Sequence, residues 1–403
     1  MPEAVIVATA RSPIGRANKG ALRDIRPDDL AALIVNEALA KVPELNRTDI
    51  DDLMIGCAQP AGEQGYNIAR TVAVLTGMDF LPGTTVNRYC SSSLQTSRMA
   101  FHAIKAGEGD VFLSAGVETV SRYVNGKADG MPNTKNDIFA AAAARNEQAR
   151  DQPWRDPRED GALPNAYVAM GETAENVAQL RGVTRAEQDQ FALRSQNLAE
   201  EAIVKGFWER EITPVTRPDG TVVSTDDGPR AGVTLEALSS LKPVFHASGT
   251  VTAGNCCALN DGAAALVIMS DTKAAQLGLA PLARIVSTGL SALSPEIMGL
   301  GPVDACRQAL QRAGMSIDDI DLVELNEAFA AQVLPTIDDL GADIDRVNVH
   351  GGAIALGHPF GMTGARMTGT LLNALQWDDK QVGMLSMCVG GGQGMAMILE
   401  RLS

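Results

Sequence analysis

The chain has 403 residues, 45% of them apolar and 21% charged, with a formal net charge of −15. That balance excludes a disordered or fibrous chain, and so acidic a surface excludes nucleic acid as a partner, because phosphates demand basic side chains. The length predicts two or three domains of ~100–200 residues each. No apolar run reaches the ~18 residues of a membrane span. The first eleven residues lack the basic start of a signal peptide, and the closing Arg401-Leu402-Ser403 is not the peroxisomal tripeptide. A cytoplasmic protein is expected. Aromatic residues are only 4%, so the core must be built from Ala, Val, Leu, Ile and Met.

In chain order, the first helical pattern falls at 30–39. It leads to Asp49-Ile50-Asp51-Asp52-Leu53-Met54-Ile55-Gly56, an acidic turn and an apolar strand. Thr85-Val86-Asn87 opens a segment of small residues and a helix, and Val111-Phe112-Leu113-Ser114-Ala115-Gly116 reads as the next strand. Residues 121–250 are polar and rich in proline. They read as an inserted loop region with helical pieces at 171–180 and 184–205 and an Ala/Asn/Gln/Arg-rich run at 140–150. Strand character returns at 263–269. The opening pattern then recurs. A helix at 305–313 precedes Asp319-Ile320-Asp321-Leu322-Val323-Glu324-Leu325-Asn326, Arg346-Val347-Asn348 opens a second small-residue segment and helix, and Val382-Gly383-Met384-Leu385-Ser386-Met387-Cys388 forms a strand. Strands alternating with helices, twice in the same order, predict a duplicated α/β architecture.

Six cysteines without a signal peptide do not imply a disulfide framework, and with four histidines they form no metal-ligand spacing. Cys90 stands between a strand and a helical pattern, where a helix N-terminus favours a thiolate; the alternative is a buried structural cysteine. His358, in the glycine-rich Gly357-His358-Pro359, is a candidate base for a thiol, or else a structural histidine. Cys388 begins Cys388-Val389-Gly390-Gly391-Gly392-Gln393-Gly394. Too little chain follows to build a dinucleotide fold, and the glycines suit amides aimed at a developing oxyanion. Asn326, in Asn326-Glu327-Ala328-Phe329, could orient a water or a histidine, or cap a helix.

Taken together, Cys-x-Ser, Asn-Glu-Ala-Phe, Gly-His-Pro and Cys-x-Gly in this order resemble the thiolases, the acyl-CoA:acetyl-CoA acyltransferase family. The resemblance spans nearly the whole chain. It includes Arg11-Ser12-Pro13-Ile14-Gly15, Gly171-Glu172-Thr173-Ala174-Glu175-Asn176, and Gly249-Thr250-Val251-Thr252-Ala253-Gly254-Asn255 with Asn260-Asp261-Gly262-Ala263. It implies an α/β, five-layered αβαβα fold of two duplicated halves with an inserted loop domain. The expected division is 1–120 with 251–271 as the N-terminal half, 121–250 as the loop domain that binds coenzyme A, and 272–403 as the C-terminal half.

The resemblance also implies roles. Cys90 is the acyl-accepting nucleophile, His358 its base, and Cys388 the acid/base at the α-carbon. Asn326 anchors a water that forms one oxyanion hole with His358, and the amides of Cys90 and Gly390 form the other. Arg230 packs near the adenine of coenzyme A, while Phe245, Ala253, Ala328 and Phe329 contact its pantetheine. Cys257 stands where many members carry a small hydroxyl residue at a pantetheine contact. Met170 and Met298 fall at the substrate pocket. Coenzyme A is a co-substrate, no metal is needed, and a homodimer or homotetramer is expected, with other β-oxidation enzymes as possible partners.

The implied activity is thiolysis of a 3-oxoacyl-CoA through an acyl-Cys90 thioester. The alternative within the family is condensation of two acetyl-CoA. Ala169 stands where that biosynthetic branch carries His, which tilts the reading toward degradation, while Met298 pulls the other way. Ser93 replaces the glycine usual after Cys-x-Ser. Decarboxylating condensing enzymes lack the second cysteine, and a non-catalytic lipid-binding relative would lack part of the set.

Overall fold

The computed structural model describes residues 2–149 and 152–403. Its strands are β1 (Ala4–Arg11), β2 (Gly15–Arg16), β3 (Asp52–Gly56), β4 (Gly83–Val86), β5 (Val111–Thr119), β6 (Val215–Thr216), β7 (Val222–Val223), β8 (Asn260–Ser270), β9 (Ala283–Ala292), β10 (Leu322–Leu325), β11 (Val382–Val389) and β12 (Gln393–Arg401). The main sheet runs β10-β11-β12-β9-β1-β8-β5-β3-β4. It falls into two halves that meet where Val5 and Ile6 of β1 pair with Arg284 and Ala283 of β9.

The halves repeat one topology. In the first, β3 lies parallel to β4 and to β5, and β8 runs antiparallel to β5 and β1. In the second, β10 is parallel to β11, β12 is antiparallel to β11 and β9, and Val323 bridges Val347 in parallel where the first half has β4. The duplication reaches single atoms. One carboxylate oxygen of Asp51 accepts the amides of Asp110 (2.7 Å) and Val111 (2.9 Å), and one of Asp321 accepts those of Gln381 (3.0 Å) and Val382 (2.8 Å). The acidic turns noticed in the sequence are therefore the devices that register each half's parallel strand pair.

Successive strand residues point to opposite faces, and here both faces are covered. Leu53, Leu113 and Val267 pack outward with Leu30 and Ile34 of the helix Pro27–Ala40. Met54, Phe112 and Leu266 point inward, onto the helices Ser92–Ala106 and Thr363–Trp377. On the far side, Val323, Leu325 and Met384 meet the helices Gly301–Ala313 and Ala330–Leu340. Three apolar layers separated by two half-sheets make the five-layered αβαβα arrangement.

The two central helices touch at Gly364, where a Cβ would lie 2.2 Å from the backbone nitrogen of Leu94. The departure at Ser93 is explained there. Its hydroxyl accepts the Ala365 amide at 2.9 Å, one of the amides a helix start leaves unpaired, and it fits because Gly56 and Gly116 opposite carry no side chain.

The inserted region holds more helix than expected. Besides Met170–Arg181 and Arg185–Val204, the run at 140–150 forms the helix Ala140–Gln148, and Leu235–Ser239 forms a short one; Arg150 lies outside the described residues. Alanine's helix propensity outweighed the polar composition that suggested a loop. Asp226 fastens this region to the core, accepting both terminal nitrogens of Arg11 (2.8 and 3.0 Å) and the Ile14 amide (2.7 Å).

Candidate active site

All four chemistry-bearing segments follow strand ends. Cys90 comes after β4, Asn326 after β10 and Gly390 after β11, while His358 follows the segment that Val347 pairs to β10. Open α/β sheets place their sites at such carboxyl ends.

Cys90 sits in a single 3-10 turn, Tyr89–Ser91, before the helix that starts at Ser92. Tyr89 is held at φ 44°, a left-handed conformation rare for a bulky residue, so the turn is sharp and presents the thiol. The expectation of a thiolate favoured by the helix terminus does not hold in the resting site. Burial pushes the Cys90 thiol up to about 11, against the pull of a hydrogen bond from the Gly390 amide. Deprotonation therefore requires a base.

His358 is held in a defined tautomer. The Thr363 hydroxyl donates to the Pro359 carbonyl at 2.7 Å, so its oxygen must accept from His358 Nδ1, also at 2.7 Å. Nδ1 thus carries the proton and Nε2 keeps a lone pair, toward which Asn326 Nδ2 points at 3.3 Å. Burial, assisted by the nearby Arg366 charge, lowers the imidazole to about 3, so it is neutral. The main chain of His358 is fixed by Asn260, whose Oδ1 accepts its amide at 3.0 Å. Asn326 caps no helix: the next one begins at Ala330 behind Phe329. Its Oδ1 has no partner among the described residues.

Cys388 is 1% exposed, and burial, with the neighbouring Cys90, drives its thiol far above the ordinary range. It belongs to an apolar cluster with Met298, Ala328 and Phe329, against which Phe245, Cys256 and Cys257 pack. The Cys257 amide donates to Ala328 O at 3.0 Å, and the rings of Phe245 and Phe329 meet edge to face at 6.3 Å. Burial raises the Cys257 thiol, and the neighbouring Cys256, Cys90 and Cys388 add to it, so four sulfurs share this corner.

Two cavities approach it. One, about 570 Å³, is lined by Cys90, Gly390, Met170, Phe360, Tyr167 and Lys135 among others. The other, about 320 Å³, is lined by Arg230, Ala253, Cys256 and Gly357. Among the described residues, the wall of the first holds one cation, Lys135, and one carboxylate, Asp129, which accepts Gln59 Nε2 at 2.6 Å.

Glu118 ties the site's loops together. It is wholly buried and accepts the Ala58 amide (2.8 Å), Gln64 Nε2 (2.6 Å), Tyr123 OH (2.9 Å) and the Gly361 amide (3.0 Å).

Comparison with known proteins shows the family. Residues 4–272 match the family model of the thiolase N-terminal domain, and residues 279–401 that of the thiolase C-terminal domain. The chain belongs to the thiolase family. It is 45% identical over 411 residues to the 3-oxoadipyl-CoA/3-oxo-5,6-dehydrosuberyl-CoA thiolase of Escherichia coli (strain K12), covering 100% of both chains. It is 43% identical over 413 residues to a 3-ketoacyl-CoA thiolase of Bacillus subtilis (strain 168), covering 99% and 100%. Among solved structures, the Bacillus anthracis acetyl-CoA acetyltransferase superposes with a TM-score of 0.85 at 38% identity, over 100% and 99% of the two chains.

The thiolase thus brings Cys90, Cys388 and Gly390 into one corner and joins Asn326 to His358. Arg230 and Ala253 share one cavity. Met170 lines the other, and Phe245, Cys257, Met298, Ala328 and Phe329 form the wall beside Cys388. The sequence reading missed Thr363, Asn260, Glu118 and Gln332. Asn260 lies in a quoted motif, but nothing in the pattern marked its contact with the His358 backbone.

Proposed function

We propose that this thiolase cleaves a 3-oxoacyl-CoA with coenzyme A into acetyl-CoA and a shortened acyl-CoA. The reading rests chiefly on one observation: a buried, neutral histidine whose Nε2 lone pair faces Asn326 Nδ2, its ring packed on Phe360 in the wall of the cavity that holds Cys90, with the neutral thiols of Cys90 and Cys388 next to each other. His358 Nε2 takes the Cys90 proton, and the sulfur attacks the 3-oxo carbon. The new imidazolium and the Asn326 side chain, through a water, face one developing oxyanion, while the Cys90 and Gly390 amides face the other. The Cα–Cβ bond breaks, Cys388 gives its proton to the α-carbon, and acetyl-CoA leaves. The Cys388 thiolate then deprotonates the incoming coenzyme A, whose sulfur attacks the acyl-Cys90 thioester. Cys90 leaves and recovers its proton from His358. Two half-reactions predict ping-pong kinetics. Coenzyme A lies along the Arg230–Ala253 cavity with its pantetheine passing Phe245 and Phe329.

Coenzyme-A-dependent loss of 3-oxoacyl-CoA enolate absorbance should vanish in Cys90→Ala. Turnover surviving that change refutes the nucleophile. Cys388→Ser should still accept an acyl group on Cys90 while C–C cleavage collapses.

The acyl chain of the same proposal ends in a carboxylate. The Escherichia coli relative is named for 3-oxoadipyl-CoA, a chain of that kind, and Lys135 is the cation on the cavity wall that holds Cys90. Because Lys135 is exposed, the gain is small. Lys135→Met should lower kcat/KM for 3-oxoadipyl-CoA roughly 2–5-fold and leave 3-oxohexanoyl-CoA unaffected. Equal effects on both substrates would refute the carboxylate contact.

The enzyme works as a homo-oligomer in the cytoplasm. No helix among the described residues is long and apolar enough to cross a membrane. The edge strand β4 and the exposed Tyr66 and Phe80 beside it are the surface offered to a second copy.

A further inference from the structure

Gln332 lies in the first turn of the helix Ala330–Leu340 and is 2% exposed. Its Nε2 reaches Cys388 Sγ at 2.7 Å, while its Oε1 has no hydrogen-bond partner among the described residues. Burying a carboxamide whose carbonyl is unpaired costs stability that a methionine or leucine at this position would not. The fold nevertheless makes room for it. A Cβ on Gly299 would lie 2.5 Å from Oε1 and 2.6 Å from Cβ of Gln332, so the glycine is what lets the amide lie flat beside the sulfur. A polar group held at a stability cost, one end on a reacting atom and the other end free, fits a working part better than packing.

We propose that Gln332 is the positioning residue of the Cys388 acid/base cycle. When Cys388 is a thiolate, Gln332 donates Nε2–H to it. When Cys388 is a thiol, as in the resting site, the same Nε2–H rests on a sulfur lone pair and the S–H stays free to face the α-carbon. The sulfur then stays aimed at the α-carbon in both protonation states, and the amide itself neither gains nor loses a proton. Among the described residues, the titratable group that acts on Cys388 is Cys90, with Cys257 packed in the same corner; both are held as neutral thiols by burial, so no charged side chain there competes with the amide for this task. The inference rests on the acid/base role proposed above for Cys388.

The test separates the two half-tasks. Exchange of the acetyl-CoA methyl protons with deuterated water reads proton transfer at Cys388. Formation of the acyl-enzyme by intact mass reads Cys90. Gln332→Met, close in volume, should slow exchange and thiolysis roughly 10–100-fold, the worth of a hydrogen bond to a charged group, while acyl-enzyme forms at the parent rate. Gln332→Glu should work at low pH, where a neutral carboxyl both donates and accepts, and fail as rising pH ionises it against the thiolate. Should Gln332→Met not fold, the Gln332→Glu pH profile still decides. An unchanged exchange rate, a parental pH profile in Gln332→Glu, or equal loss of exchange and acylation would overturn the proposal. Exchange persisting in Cys388→Ala would instead remove the role of Cys388 itself.

Discussion

At the scale of single residues, what governs this site is desolvation. Cys90 and Cys388 are pushed up and His358 is pushed down, all by burial, so the resting site holds two thiols and a neutral imidazole rather than a thiolate–imidazolium pair. In the proposed mechanism proton transfer then accompanies attack, and the imidazole must present the correct nitrogen. Thr363 decides which one. Thr363→Val removes the acceptor for Nδ1–H and frees the wrong tautomer. Its kcat should fall at least tenfold, within the ~10²–10⁴ a general base contributes, and Thr363→Ser should restore it. The raised Cys90 thiol carries a second consequence. In the free enzyme, alkylation of Cys90 by iodoacetamide should keep accelerating above pH 9, toward about 11, where an ordinary thiol has already levelled off. A plateau near pH 7 would mean a preformed ion pair. As candidates, Cys90, Cys388 and His358 were legible in the sequence because each pairs a rare residue type with a strand end or a glycine-rich turn, and Asn326 because it closes an apolar strand inside a four-residue motif. Thr363, Asn260, Glu118 and Gln332 were not, since they are common residue types whose work is set by partners far away in the chain.

At the scale of elements, the site depends on how closely the two central helices approach. Gly364 admits Leu94, and Ser93 pairs the Ala365 amide at the start of the helix that also carries Thr363. Ser93→Gly, the residue more usual in the family, should cost about 1–2 kcal/mol in denaturant unfolding, from one lost hydrogen bond and a glycine in a helix, with activity largely kept. Gly364→Ala forces a Cβ into backbone and should both destabilise the fold and depress kcat, because the helix it displaces orients His358. The duplicated turns offer a matched pair. Asp51→Ala and Asp321→Ala each strip two amides of one acceptor, and each should lower stability by about 1–3 kcal/mol. This was the part of the fold that the sequence made plainest, since the repeated acidic turn and apolar strand mark the same device twice. The helix Ala140–Gln148 was obscured because its polar composition resembles a surface loop, while the propensity of five successive alanines acts locally.

At the scale of the whole molecule, the centre of the layered core holds ionisable groups that an apolar composition hides. Glu324 on β10 and Arg366 on the second central helix are 4.0 Å apart, with side chains 4% and 1% exposed. Their attraction does not offset the loss of water. Burial raises Glu324 from 4.5 to about 8 despite Arg366, and burial lowers Arg366 in turn. The folded state therefore holds the Glu324 proton more tightly than the unfolded chain does. Its contribution to stability is fully present below pH 4.5 and is lost progressively as pH rises toward about 8. Glu118 and Glu327 are buried carboxyls shifted the same way, so the parent should lose stability across this range through several groups at once. Glu324→Gln isolates one of them. A neutral amide is close in shape to the neutral acid that the fold prefers near pH 7, so the variant should match the parent at low pH and gain on it as pH rises. Urea unfolding between pH 5 and pH 8 reads this directly. A variant that weakens relative to the parent with rising pH would mean that Glu324 is ionised in the folded molecule and that its pairing with Arg366 outweighs desolvation after all.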